Sequence, residues 1–345
     1  MKQKFAALIL LLSVLLGGCE YRIVVRPLPY DDGLTVHYID VGQADCILLE
    51  CDGRYMLIDG GNQEDSRLVV SYLENQGVKE LAAVVSTHPH EDHVGGLPAV
   101  LAVYPTQAVY APTKTYASRL YDEFLYYADQ QRLEVIIPAL GHNWTLGDAR
   151  VTVLGPVKSY AETNDTSIVL LVEYGITRFL FTGDMEAQAE ADMLSYWEGK
   201  LDWDVDVLKV GHHGSDTSSS YRFLYETQPE YGIVSVGRGN AYGHPQSNIM
   251  ERYADAGTVI FRTDRLGNVV ARSDGRTVSL TWENRKAEPE NAQIAGSVTY
   301  IGNRSSGVFH SSECGSLPKE SNRVWFDSFL DALDAGYTPC DSCLE

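Results

Sequence analysis

Positive charge is what this chain is short of: 27 Lys and Arg stand against 47 Asp and Glu in 345 residues, a formal net charge of −20 at pH 7. Tight non-specific binding to nucleic acid relies on Lys and Arg displacing counterions from phosphates, so the composition argues against a protein that coats DNA. An enzyme that cuts DNA is not excluded. Metal ions would neutralise several of the counted carboxylates, and a local strip of Arg238, Lys209 and Arg265 could receive a phosphate. Low-complexity tracts and visible repeats are absent, and no second apolar span follows the one at the amino terminus. One large domain plus an appendage is the expectation, with ample length for a core. Cysteine is sparse at six residues. Cys46 and Cys51 flank one strand and read as buried hydrophobes, although an exported setting keeps a disulfide open.

The chain begins with Lys2 and Lys4, an apolar run over residues 5–16, and Leu16-Gly17-Gly18-Cys19. A run shorter than the ~20 residues of a membrane span, with these flanks, reads as a signal peptide over residues 1–18. The last four residues resemble the bacterial lipobox, which implies lipidation of Cys19 and a protein tethered to the extracellular face of the cell membrane. Residues 19–33 form a spacer. An ordinary secretory signal with a chance cysteine is the alternative. Helical patterns over residues 66–76, 116–132 and 186–197 interleave with short apolar strands, and hairpins sit early and late. That order predicts two mixed sheets flanked by helices.

Thr87-His88-Pro89-His90-Glu91-Asp92-His93 places three imidazoles and a carboxylate directly after the apolar run Leu81-Ala82-Ala83-Val84-Val85. A buried strand ending in such a cluster delivers side chains to one point at the carboxyl edge of a sheet. Imidazole nitrogens and carboxylate oxygens suit Zn²⁺ or Mn²⁺. His88 and His90 would serve one ion, Asp92 and His93 a second. The pattern H-x-H-x-D-H resembles the signature of the metallo-β-lactamase superfamily, which implies an αββα sandwich. Within that resemblance, Asp59 of Leu57-Ile58-Asp59-Gly60-Gly61 would orient the histidine loop, and Asp184 of Phe181-Thr182-Gly183-Asp184 would bridge both ions. Val207-Leu208-Lys209-Val210-Gly211-His212-His213-Gly214-Ser215 supplies the late ligand. On extended backbone only one of His212 and His213 would face the metal. Ser215 could help receive an anion, and Lys209 either steadies the leaving side or snorkels from a strand end.

One departure stands out. Where many superfamily members carry a further histidine ligand, this chain has Asn164-Asp165-Thr166-Ser167, and no histidine occurs between His142 and His212. That segment, with Asp40-Val41-Gly42-Gln43-Ala44-Asp45 and Tyr242-Gly243-His244-Pro245, resembles the hydrolase domain of ComEC-type DNA-internalisation proteins over residues 34–283. The resemblance implies a nuclease using metal-activated water, with DNA as substrate and DNA-uptake machinery as partner. Choline-phosphate esterases of bacterial surfaces share the sub-pattern. The first ion is then under-coordinated or completed by His244 or Asp165, and His244 is otherwise a general acid. Asp40 and Asn164 are expected to support the site or substrate. Asp45 is as readily a turn cap as a functional group.

Residues 284–296 read as a polar linker, and residues 297–345 as a small final unit. His310-x3-Cys314 and Cys340-x2-Cys343 have zinc-knuckle spacing, and a unit this short needs such a staple. It resembles the zinc-binding domain of Ada-type repair proteins, with His310 where that family carries its methyl-accepting cysteine. One structural zinc is expected, or disulfides in an oxidising compartment. A helix is expected over residues 324–336. The functional alternatives are a tethered metal-dependent nuclease, a hydrolase of another phosphoester such as surface choline phosphate, and a non-catalytic metal-binding lipoprotein.

Overall fold

The structure, a computed structural model, describes residues 33–290, 300–312, 314–326, 329–340 and 342–344. The signal-peptide and Cys19 expectations lie outside them. Apolar runs at Leu34–Tyr38, Ile47–Cys51 and Arg54–Ile58 pair antiparallel, Leu34 against Cys51 and Ile47 against Ile58. Beyond Ile58 the pairing turns parallel at Ala83–Val85, because the helix Ser66–Asn75 supplies the crossover that parallel neighbours require. The completed first sheet has eight strands. The second has seven, with Val259–Arg262, Tyr231–Val234, Val207–Lys209 and Thr177–Phe181 parallel and Val169–Tyr174 antiparallel to the last.

Leu34, Val36, Leu49 and Val85 of the first sheet pack with Val151, Leu170, Phe179 and Ile233 of the second in one buried cluster. Helices cover the outer faces. Val69, Leu73, Leu101 and Phe124 lie on the first sheet, and Met193, Phe223, Ile249 and Tyr253 on the second. This is the αββα layering that the alternating pattern predicted. Helices occur at Ser66–Asn75, Arg119–Gln130 and Ala187–Trp197, the middle one starting late because Ser118 is extended.

Ile58 sits beside Val85, and Phe181 beside Lys209, in parallel register. Within each pair the turns that follow leave from strand ends of common direction, and these turns carry the chemistry. The histidine loop is seated by glycine backbone: Gly60 N–H donates to His93 O at 2.7 Å, and Gly96 N–H to Gly61 O at 3.1 Å. A Cβ on Gly96 would lie 2.0 Å from Gly60 O. Gly96→Ala is therefore expected to cost about 1–3 kcal/mol through overpacking, seen as a lower urea midpoint. An unchanged midpoint would contradict this packing.

The final unit is a four-stranded sheet in the order Arg323–Phe326, Tyr300–Asn303, Val308–Ser311, Thr338–Pro339. The single helix expected over residues 324–336 is corrected: Arg323–Phe326 is a strand paired to Tyr300–Asn303, and among the described residues of that range only Phe329–Asp334 is helical. Val324, Trp325 and Phe326 favour the pleated ladder, and an available partner strand decides it. The start of the expected linker lies along the large domain, with Asn284 N–H donating to Leu266 O at 2.7 Å and Glu290 bridging to Ile260. Tyr221 stacks on Phe329 at 4.0 Å, and the Tyr300 hydroxyl donates to Asp255, so the small unit rests on the large one.

Candidate metal centre

Asp92, His93, Asp184 and His213 each place a ligand atom within 4.8 Å of the others. His93 Nε2 lies 3.2 Å from Asp184 Oδ2, and His213 Nε2 lies 3.3 Å from Asp92 Oδ2. Three of these residues are buried, and Asp92, with its side chain 31% exposed, leaves one open side. His93 Nε2, His213 Nε2 and Asp184 Oδ1 are buried without a hydrogen-bond partner. Each such orphan costs about 1–3 kcal/mol unless something satisfies it. Nitrogen and oxygen atoms converging in this way fit a divalent cation such as Zn²⁺ or Mn²⁺.

His88 Nε2 lies 3.0 Å from His90 Nδ1 and 3.8 Å from Asp184 Oδ2. Asp184 Oδ2 thus lies near His88 on one side and near His93 and His213 on the other, the place where one carboxylate can serve two ions. Asp59 accepts Thr87 N–H and the Thr87 hydroxyl, both at 2.7 Å, and faces His93 Nδ1 at 2.8 Å. His213 Nδ1 donates to Ser235 O at 2.8 Å. These contacts assign the proton of both rings to Nδ1 and turn the Nε2 lone pairs inward when a cation is bound.

Burial opposes charge on the imidazoles, but the carboxylates outweigh it. Asp184 and Asp59 push His93 well above the usual range, and Asp184 with Asp45 raises His213 to about 10. Burial alone would raise Asp184, but His93 and His213 hold it well below the carboxylate range. His88 is lowered, first by burial and then by His93, which keeps its ring neutral. The pocket therefore favours positive charge at its centre.

Several expectations change. His212 and His213 do not lie on extended backbone but at φ 47° and 55°, in a left-handed turn. On it both rings reach Asp184 Oδ2, each at 3.7 Å, so the premise for choosing one fails. His212 is the more open of the two, with Nδ1 3.4 Å from Glu186. Lys209 neither snorkels nor faces substrate: it is fully buried, 2.6 Å from Asp45 Oδ2, and donates to Val210 O. Arg265 pairs with Glu290, and Arg238 bonds the Asp264 carbonyl, so the three cations form no strip. Asp45 lies 3.4 Å from His213 Nδ1; burial would raise it, but Lys209 and His213 hold it at about 2. It is a buried anion behind the ligands rather than a turn cap.

Asp165 accepts Glu186 N–H at 3.0 Å, and Asn164 donates to the Glu186 carboxylate at 3.0 Å. Both steady the residue that faces His212. Ser167 is the member of this segment that touches the site, with Oγ 3.5 Å from His88 Nδ1 and accepting Asp184 N–H at 3.1 Å. Its place as the last residue of the Asn164-Asp165-Thr166-Ser167 motif was the available signal. Asp40 accepts Gly42 N–H at 3.2 Å and shapes the turn bearing Gln43. Ser215 accepts Thr217 N–H at 3.3 Å beyond the histidine turn. His244 lies 5.8 Å from the His212 ring, with Nδ1 3.5 Å from Gln43 Nε2, and burial and then His212 lower it.

In the small unit, His310, Cys314, Cys340 and Cys343 converge within 4.8 Å, and Cys314 Sγ lies 3.4 Å from His310 Nδ1. These cysteines are free thiols, as are Cys46 and Cys51. One imidazole and three thiols fit a structural zinc.

Residues 39–238 match the model of the metallo-β-lactamase superfamily, and residues 284–345 match that of the metal binding domain of Ada. ComE operon protein 3 of Bacillus subtilis is 28% identical over 74% of this chain and 35% of its own length. Competence protein ComA of Neisseria gonorrhoeae is 31% identical over 74% of this chain and 34% of its own. The chain thus spans about a third of the length of the curated relatives it matches. Among solved structures, the metallo-β-lactamase fold protein YhfI of Bacillus subtilis aligns with a TM-score of 0.49 at 12% identity, covering 70% of this chain and 100% of that one. The chain belongs to the metallo-β-lactamase superfamily and is a metal-dependent hydrolase of that family with an Ada-type metal-binding domain at its carboxyl end.

Proposed function

We propose that the chain is an exported, membrane-tethered phosphodiesterase that cleaves DNA, acting with DNA-uptake machinery. The observation that carries the chemistry is the convergence of Asp92, His93, Asp184 and His213 with orphaned ligand atoms facing one point. Similarity to competence proteins over most of the large domain supports DNA as the substrate. Divalent ions held by His88, His90, Asp92, His93, Asp184, His212 and His213 would activate water and neutralise charge on the phosphoryl group.

The chain's own residues do the remaining work. Asp184, central to the imidazoles, fixes their spacing. Asp59 and the Ser235 carbonyl hold His93 and His213 in the tautomer that frees Nε2. Gln43 Oε1 accepts Gly237 N–H at 3.1 Å, so its amide nitrogen faces His244 Nδ1 and leaves the His244 proton on Nε2. From there the half-buried ring, which burial and His212 keep neutral, can donate a hydrogen bond from Nε2–H to a phosphoryl or leaving oxygen and stabilise its charge without giving up the proton.

The net charge of −20 favours a second reading, a small phosphoester such as choline phosphate, which needs no cationic track. Single-stranded DNA, double-stranded DNA and a phosphocholine ester are the substrates to compare, with added Mn²⁺ or Zn²⁺. Metal-dependent cleavage of DNA is the expected result; turnover of the phosphocholine ester alone would replace the nuclease reading with the second.

A further inference from the structure

The site's rim carries two tyrosines that the chemistry above does not use. Tyr242 is 70% exposed although it stands beside His244, with the two rings stacked at 5.6 Å and 27°. Its loop is held in place: Asn240 Oδ1 accepts Tyr242 N–H at 3.1 Å and His244 N–H at 3.0 Å, while Asn240 Nδ2 donates to His244 O at 2.7 Å. One face of Tyr242 meets His244, and the exposure belongs to the rest of the ring. At the other end of the row of imidazoles, Tyr116 packs edge-on to His90 at 6.2 Å and is braced by Tyr121 at 5.9 Å. A surface groove of ≈ 350 Å³ opens beside it, lined by Lys114, Thr115, Tyr116 and Asp122. Asp184, close to both His88 and His212, lies between the two ends of this row.

An acidic enzyme whose nearby cations are internally paired cannot hold a polynucleotide by charge alone. Lys114 is bound to Glu134, Lys209 is buried on Asp45, and Arg238 is bound to a carbonyl. Aromatic faces supply affinity without phosphate neutralisation, and they require bases that are unpaired. Resting on the phosphodiesterase reading above, we propose that Tyr242 and Tyr116 are nucleobase-stacking platforms on either side of the scissile phosphate, so that the substrate is single-stranded polynucleotide.

The test compares kcat/KM on a single-stranded oligonucleotide with that on the same backbone carrying abasic residues, for the full chain with Mn²⁺, for Tyr242→Ala and for Tyr242→Phe. Stacking of one base predicts that Tyr242→Ala loses about 10-fold more on the base-bearing strand than on the abasic one, and that Tyr242→Phe recovers most of it. Tyr116→Ala is expected to behave alike. Equal losses on both strands, or no loss, would overturn the stacking role while leaving the nuclease reading intact. Failure of the unsubstituted chain to cleave either strand, with a small phosphodiester still hydrolysed, would overturn the nucleic-acid reading and the platforms together.

Discussion

Asp184→Asn should lower the rate of hydrolysis by about 100-fold or more. The substitution keeps shape and removes charge at the one side chain that four imidazoles share. Asp184 Oδ2 lies within 3.8 Å of His88, His93, His212 and His213. An amide there cannot serve cations on both sides, and it leaves Asp92 as the sole anion of the four-residue cluster. Rates measured with saturating metal, beside circular dichroism to show an intact fold, test the role. Activity within a few-fold of the unsubstituted chain would contradict it.

Lys209→Met should be the most destabilising single change of those considered, by about 3–5 kcal/mol, because it strands a buried anion. Lys209 and Asp45 are both almost fully buried, and their 2.6 Å contact is what holds Asp45 ionised between His213 and His93. Removing both charges is different. The double variant Lys209→Met with Asp45→Asn should recover a substantial part of the loss, since neither partner then remains unpaired. Urea denaturation of both variants measures the coupling. Losses that simply add would show that the pair is not an energetic unit.

What was legible in the chain follows from locality. The loop from His88 to His93 declared itself because a buried strand and its ligands are contiguous, and the alternation of apolar strands with helical patterns gave the layered fold. Contacts between distant segments were not legible. Burial of Lys209 depends on Asp45, in the loop before the strand Ile47–Cys51, and the sequence around either residue is compatible with a surface role. The orientation of His212 and His213 depends on positive φ at two non-glycine residues, which L-residues adopt only when the surroundings hold them there. Ser167 was visible as part of a motif but not as a contact, because it gains its role only where Asp184 and His88 meet. In the small unit, Val324 to Phe326 could have continued a helix, and pairing with Tyr300–Asn303 made them a strand.

Metal content tests the centre most directly. Bound divalent ions should be counted by elemental mass spectrometry in the unsubstituted chain and in a variant carrying Asp92→Ala and His213→Ala, after equilibration with Zn²⁺. An ion held by His310, Cys314, Cys340 and Cys343 would serve as the internal reference. The expected result is a variant that keeps that reference ion and loses metal from the large domain. An unchanged count would show that Asp92 and His213 do not hold the ion on which the hydrolytic chemistry depends.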